Sequence, residues 1–300
     1  MGSPLRLQVD AAPTHAVDQA WRAVTDEFEA VEQALSRFRE TSEIHLARLA
    51  GGQSHRPSRR LVAALSSADR ARRVTDGRFD PRVLRDLERL GSMPIPVLGE
   101  SVEGCRRAVD RVFHRSGRRG PVSIPEPVDF GGIGKGLALR WAARLAEHVL
   151  AGAPFLLEAG GDIVVRGQAG DNGWRIAIED PRGGSMPAVV LEPPRDGAVA
   201  TSSVRLGHWE AGNGSSVHHL IDPSTGEPGG AGLLAVTVAS SDPAWAEVWS
   251  KALFVEGRDG IARLARARGL AAWWIGTDGA LEMTTGARML TRWLAREVAA

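Results

Sequence analysis

The sequence predicts an α+β fold, because helical and strand-like segments occupy different parts of the chain. Apolar residues recur at helical spacing through the first half, whereas short apolar runs typical of strands cluster between residues 155 and 275. Further helices lie between and after these strands but do not alternate with them one by one. This arrangement disfavours a doubly wound parallel sheet and favours α+β.

Amphipathic periodicity predicts the helices in chain order. Four come first, at Val17–Phe38, Pro57–Val74, Val83–Leu90 and Val102–Val109. The others follow at Leu137–Leu150, Ala244–Val255, Ile261–Ala267 and Ala287–Val298. In the string GRFDP, we expect Pro81 at a first helical position, where its missing N–H leaves no hydrogen bond unmade.

Short runs rich in apolar residues predict six strands. They are Phe155–Val165, Trp174–Ile178, Ala188–Leu191, Ala198–Thr201, Leu234–Ala239 and Ala272–Ile275. The first run, within LLEAGGDIVVRG, contains the pair Gly160 and Gly161. Glycine inside a strand weakens it and often indicates the close approach of a ligand or another backbone.

Composition describes a globular chain with enough apolar material for a large core: 300 residues, 43% hydrophobic, net charge +1. The near-neutral charge gives no reason to expect nucleic acid, and the short basic clusters Arg70–Arg73 and Arg115–Arg119 are interpreted as solvated faces. Cys105 is the only cysteine, which excludes an internal disulfide. No apolar run has the length of a membrane span and the N-terminus lacks a leader pattern, so we expect a cytoplasmic protein.

The string DFGGIGKG, Asp129–Gly136, is a glycine-dense loop that opens into a predicted helix. Glycines let backbone amides approach an anion, and a helix N-terminus adds about half a positive charge, so a phosphate group fits here. The loop matches neither the Walker nor the dinucleotide pattern, because Gly136 follows Lys135 and the glycines are spaced GxGxG. A tight turn that binds nothing is the alternative interpretation.

Lysine stands at only two positions, Lys135 and Lys251, against 35 arginines. Because arginine has taken nearly every other basic position, these two are candidates for places that need a compact ammonium rather than a planar fork. Chance loss of the other lysines is the alternative explanation.

Two further strings contain polar side chains suited to a binding site, AVATSS at Ala198–Ser203 and HHLIDPSTGEP at His218–Pro228. Small hydroxyl residues suit hydrogen bonding to a phosphate or ring edge, though equally an ordinary strand end. In a strand, neighbouring side chains point to opposite faces, so only one of His218 and His219 can line a site.

In this order, the strings resemble the family of FAD:protein FMN transferases known as ApbE. The resemblance covers nearly the whole chain and includes MGSPLRL, LSRFRETSEIHLARLA, DGRFDP, DFGGIGKG, EAGGDI, ATSS, HHLIDPSTGEP and AEVWSKALFV. It implies a single α+β unit over residues 1–300, with two lobes and FAD in the cleft between them.

The resemblance also implies residue roles. The residues implied to contact the flavin nucleotide are Met1, Phe38, Arg78, Phe79 and Asp80. Those implied to contact the adenosine and diphosphate are Asp129 and Lys135. Cleft-lining positions are Gly161, Ser202 and Ile221. His219 is placed near the reacting phosphate, where imidazole can act as a base near neutral pH; Asp222 is the competing base or the group that orients the histidine.

The implied reaction joins a threonine or serine hydroxyl of a target flavoprotein to the FMN-side phosphorus of FAD and releases AMP. Such a transfer needs an aligned hydroxyl, an acceptor for its proton and positive charge at the phosphoryl oxygens. Two alternatives use the same site: an FAD-binding or carrier protein without transfer, and hydrolysis of FAD to FMN and AMP.

The chain departs from the family pattern at the metal site. The family shows Mg²⁺ held by an aspartate and a threonine four residues later, together with a carbonyl that corresponds to Gly132; here the two side chains are Glu247 and Lys251. A protonated ammonium cannot ligate a cation. Three outcomes stay open: Ser250 supplies an oxygen beside Glu247, Lys251 replaces the charge of the metal, or the protein binds FAD without transferring FMN.

Overall fold

The computed structural model describes residues 4–12, 14–92, 111–117, 119–210 and 216–295. The helices are α1 (His15–Leu35), α2 (Glu43–Leu49), α3 (Arg59–Val74), α4 (Leu84–Arg89), α5 (Gly134–Leu150), α6 (Pro243–Glu256), α7 (Arg258–Ala267) and α8 (Thr285–Leu290). A short 3₁₀ turn, Pro81–Val83, precedes α4.

The strands are β1 (Leu5–Val9), β2 (Gln53–Ser54), β3 (His114–Arg115), β4 (Val122–Ser123), β5 (Phe155–Ala159), β6 (Asp162–Arg166), β7 (Ile176–Glu179), β8 (Pro187–Leu191), β9 (Ala198–Ser203), β10 (His208–Glu210), β11 (Ser216–His218), β12 (Leu233–Ser240), β13 (Ala271–Gly276), β14 (Leu281–Met283) and β15 (Thr291–Leu294). Seven of them form one antiparallel sheet in the order β1-β5-β6-β9-β12-β13-β14. This sheet separates two apolar layers.

Helices cover one face of the large sheet. Side chains alternate along β5, so Phe155 and Leu157 pack with α1 and α5 while Leu156 points to the other face. On the same side, α6 and α7 pack against β12 and β13. The helix layer therefore holds α5 and α6 side by side, and their N-terminal turns are in direct contact.

A second, three-stranded sheet, β15-β8-β7, covers the opposite face. Its apolar residues pack with Trp273 and Ile275 of β13 and with Val165 of β6. The other lobe consists mainly of α2, α3 and the end of α1 around the short sheet β2-β4-β3. Two lobes thus meet along the N-terminal ends of α5 and α6.

Most predicted elements are confirmed, with small shifts at their ends. Helix α3 begins after Ser58, whose hydroxyl accepts a hydrogen bond from the Leu61 amide, and α6 begins after Asp242, which caps the Trp245 amide in the same way. The Pro81 prediction is also confirmed, since Asp80 caps the 3₁₀ turn and Pro81 opens it. The predicted helix Val102–Val109 lies outside the described residues.

Two predictions were wrong. The run Phe155–Val165 is not one strand but the hairpin β5–β6, because Gly160 and Gly161 both adopt positive φ and reverse the chain there. The segment Ala287–Val298 is not one helix: α8 ends at Leu290, and the chain continues as β15, which hydrogen-bonds to β8. Pairing with an available sheet edge overrides the helical periodicity.

None of the helices within the described residues combines the length and the apolar character that a membrane crossing needs.

Candidate functional site

A cleft of about 710 Å³, open to solvent, lies between the two lobes. Four segments form its walls: the end of α1, the GRFDP turn leading to α4, the glycine loop before α5, and the chain after β11. The C-terminal half of α6 closes one side. The lining residues are Arg37, Phe38, Arg78, Phe79, Asp80, Val83, Leu87, Asp129, Gly131, Gly132, His219, Leu220, Ile221, Pro223, Lys251 and Val255.

A backbone hydrogen bond joins the glycine loop to the GRFDP turn. The Asp129 amide donates to the Pro81 carbonyl at 2.7 Å. A Cβ at Gly132 would lie 2.7 Å from the Phe79 ring and 2.9 Å from the Lys251 side chain. Only glycine lets the loop pass this close to both side chains. The approach of an anion to the amides of this loop stays a prediction.

A cluster of four charged side chains lies where α5 meets α6. The Lys135 Nζ is 2.5 Å from Asp162 Oδ2 and 3.0 Å from Glu247 Oε1, and the Lys251 Nζ is 3.8 Å from the same Glu247 oxygen. The Glu247 side chain is 1% exposed, whereas those of Lys135 and Lys251 are 25% and 18% exposed. Both lysines of the chain therefore converge on two buried carboxylates.

Backbone amides hold the second oxygen of each carboxylate. Gly136 N donates to Glu247 Oε2 at 2.8 Å, and Thr201 N donates to Asp162 Oδ1 at 3.2 Å. Asp162 was not predicted from the sequence as a site residue, although it is a charged residue within an otherwise apolar run. Its position at the start of β6, directly after the hairpin turn, brings it to Lys135.

The two ammonium groups differ in their electrostatic balance. Burial alone would lower the pKa of Lys135, but attraction from Asp162 and Glu247 raises it above its usual range. Burial lowers the pKa of Lys251, and repulsion from Lys135 adds to this, while Glu247 opposes it. Lys251 lines the cleft, whereas Lys135 is not among the lining residues. Lys251, whose positive charge is less fully balanced by the nearby carboxylates, is therefore the lysine that lines the cleft.

His219 follows β11 and lines the same cleft. Its Nδ1 lies 3.1 Å from the Gly207 carbonyl oxygen. Burial lowers the pKa of His219 to about 4, with repulsion from Lys251 adding to the effect. The ring is therefore neutral at pH 7, and because Nδ1 carries the proton toward the carbonyl, Nε2 is the basic nitrogen.

Asp222 does not orient this ring in the structure. Its Oδ1 accepts hydrogen bonds from the Ser224 amide at 2.8 Å and from the Ser224 hydroxyl at 2.7 Å, which makes it part of a turn. The carbonyl of Gly207 takes the orienting position that the sequence analysis offered to Asp222 as an alternative to a base.

Six of the residues expected to contact FAD line the cleft: Phe38, Arg78, Phe79, Asp80, Asp129 and Ile221. Each charged member has a partner. Arg78 pairs with Glu256, Asp80 with Arg82, and Asp129 with Arg37 at 3.2 Å. Phe38 is 61% exposed, which makes it the most accessible aromatic side chain at the cleft. Sequence reasoning missed Arg37, which directly precedes Phe38.

Of the four other residues expected to contact FAD, Lys135 belongs to the charged cluster described above. Gly161 is in the exposed β5–β6 turn, and Ser202 is buried on β9, where its hydroxyl is 2.8 Å from that of Ser250. Neither is among the residues that line the cleft. Met1 lies outside the described residues.

The donor set does not fit a resident divalent cation. Both carboxylates are engaged by Lys135 and by backbone amides, and the Ser250 hydroxyl donates to the Glu247 carbonyl at 2.9 Å. The Lys251 side chain occupies the space beside Gly132. Within the described ranges, no group of three or more His, Cys, Asp or Glu side chains is arranged to hold a metal ion.

Comparison with known proteins gives consistent matches. An FAD:protein FMN transferase of Klebsiella pneumoniae is 31% identical over 172 residues, which are 56% of this chain and 49% of that protein; the match thus spans about half its length. One from Vibrio cholerae is 28% identical over 282 residues, or 89% of this chain and 82% of that protein. The crystal structure of the ApbE protein from Thermotoga maritima superposes with a TM-score of 0.85 at 25% identity and covers 97% of both chains.

This superposition confirms the predicted α+β class. The family model described as ApbE family matches residues 1–274. The chain therefore belongs to the ApbE family.

Proposed function

We propose that this protein transfers FMN from FAD to a serine or threonine hydroxyl of a target flavoprotein. The hydroxyl oxygen forms a bond to the FMN-side phosphorus, and the bond from that phosphorus to the bridging oxygen breaks. AMP leaves with the bridging oxygen and its electron pair. The hydroxyl proton passes to a base and then to solvent, so the products are a phosphodiester-linked FMN, AMP and one proton.

The observation that carries the proposal is that His219 and Lys251 line one cleft together with Phe38 and Phe79. A neutral imidazole can accept the hydroxyl proton at Nε2, and general-base assistance of this kind is worth roughly 10²- to 10⁴-fold in rate. The ammonium of Lys251 can stabilise charge on phosphoryl oxygens. The exposed side chain of Phe38 offers an apolar surface to a flavin ring.

Membership of the ApbE family supports the same activity, since the relatives are named FAD:protein FMN transferase. It stays a prediction that FAD contacts Asp129, Lys135 and the GRFDP turn. The role of Asp222 in proton transfer is also a prediction. A cytoplasmic location is also a prediction, which fractionation of the native cells would check. Mg²⁺ has no part in the proposed step.

The test combines the purified protein with FAD and a flavoprotein that carries an acceptor threonine or serine, followed by intact mass analysis and measurement of AMP. We expect covalent addition of FMN to the acceptor with one AMP released for each addition. AMP release that does not depend on the acceptor would instead indicate hydrolysis. FAD binding with neither product, repeated with several acceptors, would indicate a carrier or binding protein.

A further inference from the structure

The only two lysines of the chain meet in one cluster. Lys135 reaches it from α5 and Lys251 from α6, and both approach Glu247. All the other basic residues apart from histidine are arginine. A planar guanidinium needs more room than an ammonium, so the convergence of both lysines indicates a site where a compact cation is required.

The two lysines have different roles in this cluster. Lys135 makes close contacts with both carboxylates and neutralises much of their charge. Lys251 stands farther from Glu247, at 3.8 Å, and lines the cleft. Lys251 is therefore the lysine of this cluster that lines the cleft an anion would enter.

The Lys251 side chain runs along the glycine loop. A Cβ on Gly132 would lie 2.9 Å from Lys251 Cδ and 3.2 Å from Cε. The side chain thus fills the space between the Gly132 backbone and Glu247, which are two of the three groups expected to hold Mg²⁺. A divalent cation placed there would also meet the positive charges of Lys251 and Lys135, and like charges at such separations repel strongly at low dielectric.

We propose that the Lys251 ammonium takes the electrostatic part of the divalent cation, so that transfer of FMN proceeds without a metal. This inference rests on the proposed function and deepens it. The ammonium donates hydrogen bonds to the oxygens of the phosphorus under attack and stabilises the negative charge that they carry in the transition state. Glu247, which is buried and does not line the cleft, holds the ammonium in place at 3.8 Å.

The position of Lys251 in the same cleft as His219 supports this role. Both residues line the same cleft, and repulsion from Lys251 is, after burial, the largest contribution to the low pKa of His219. A phosphoryl group between them would receive a hydrogen bond from the ammonium while the imidazole accepts the proton of the incoming hydroxyl. Neither the hydrogen bond from Lys251 nor the proton transfer to His219 requires a metal ion.

The primary experiment measures FMN transfer by the wild-type protein in EDTA and in excess Mg²⁺, with FAD and acceptor present in both. We expect rates within about twofold of each other, and an FAD dissociation constant that Mg²⁺ does not change. Transfer in Mg²⁺ that stops in EDTA would overturn this inference and leave the proposed function standing. Absence of transfer in both, with several acceptors, would instead overturn the proposed function.

The variants Lys251→Ala and Lys251→Met test the residue itself. Removal of one preorganised donor at a reacting oxyanion costs roughly 10²- to 10³-fold in rate, and we expect a loss of that size that Mg²⁺ does not restore. Full activity of either variant with Mg²⁺ would contradict the inference. Arg288→Ala, which removes a positive charge from an exposed position on α8, is the matched control and should transfer like the wild type.

Folding of the variants is checked by circular dichroism and by FAD binding. If the alanine variant fails to fold, the methionine variant keeps most of the apolar stem that packs on Gly132. The EDTA comparison on the wild-type protein decides the question independently of both.

Discussion

The Nδ1 atom of His219 lies 3.1 Å from the carbonyl oxygen of Gly207, and this contact fixes the tautomer of the ring. A carbonyl accepts only from a protonated nitrogen, so Nε2 keeps its lone pair. The neutral imidazole of His219 and the ammonium of Lys251 line the same cleft. One group can therefore accept a proton while the other stabilises negative charge.

The first prediction concerns pH. Burial and repulsion from Lys251 lower the pKa of His219 to about 4, with His218 and Lys135 contributing. The neutral base therefore persists as pH falls through 6.5, and kcat/KM for FAD should show no loss from this group until the pH nears 4. Bound FAD carries a diphosphate dianion that favours imidazolium, so the acid limb of kcat should lie at higher pH than that of kcat/KM.

Rate profiles between pH 4 and 8, with stability followed in parallel, check this prediction. A histidine whose folded pKa is depressed stabilises the fold above the unfolded pKa and loses that contribution as pH falls toward 4. An acid limb of kcat/KM at or above pH 6.5 would contradict the assigned environment of the ring.

The second prediction separates the two candidate bases. His219→Gln should lower kcat roughly 10²- to 10⁴-fold and leave FAD binding largely intact, because general-base assistance is lost while the cleft is kept. Asp222→Asn should have a much smaller effect, since the Asp222 carboxylate serves the Ser224 turn. Single-turnover transfer assays measure both, and the reverse ranking would assign the base to Asp222.

The third prediction concerns stability. Lys135→Met leaves Asp162 and Glu247 buried without their closest cation, and removal of one partner from a buried ion pair typically costs about 3–5 kcal/mol. Urea denaturation measures this free energy of unfolding. The double variant Lys135→Met with Glu247→Gln should regain part of the loss, and Arg288→Ala should stay within about 0.5 kcal/mol of the wild type.

The fourth prediction tests the close approach at Gly132. A Cβ there would lie 2.7 Å from the Phe79 ring, so Gly132→Ala should displace Phe79 or Lys251 and weaken FAD binding. Overpacking of this kind costs about 1–3 kcal/mol. Gly134→Ala is the matched control in the same loop, because its Cβ would meet Phe130 Cβ at an ordinary 3.6 Å. Equal FAD affinity of the two variants, measured by fluorescence titration, would refute the steric argument.

The fifth prediction addresses Ser250 as a metal ligand. Its hydroxyl is 2.8 Å from that of Ser202 and donates to the Glu247 carbonyl, so Ser250→Ala should lower stability by about 1 kcal/mol and leave the response to EDTA unchanged. Thermal or urea unfolding gives the first value and transfer assays the second. A change in metal response would show that the hydroxyl reaches a cation.

Helices such as α3 and α6 were predictable from sequence because their periodicity and caps are local. Ser58 and Asp242 cap α3 and α6, and Pro81 opens the turn before α4, each within a few residues of the pattern that indicates it. Strand β15 was not predictable in this way, since it depends on the distant edge of β8. The extent of a single domain over residues 1–300 stays a prediction.

The sequence identified Phe79, Asp80 and Asp129 because each lies within a string that resembles the family, and all three line the cleft. The backbone hydrogen bond that joins GRFDP to the glycine loop is a long-range contact that neither string shows by itself. The pairing of Asp162 with Lys135 joins residues 27 positions apart and depends on the β5–β6 turn, which the sequence analysis interpreted as a continuous strand.

Gly136 determines how closely α5 and α6, the helices that carry the two lysines of the charged cluster, pack against each other. A Cβ at this position would lie 2.5 Å from Ala244 Cα, so the missing side chain brings the first turns of α5 and α6 into direct contact. The separation of Lys135 from Lys251 is therefore set by two packed helices rather than by a loop. An anion that enters the cleft meets charges already in position, and the reorganisation energy of its binding is correspondingly small.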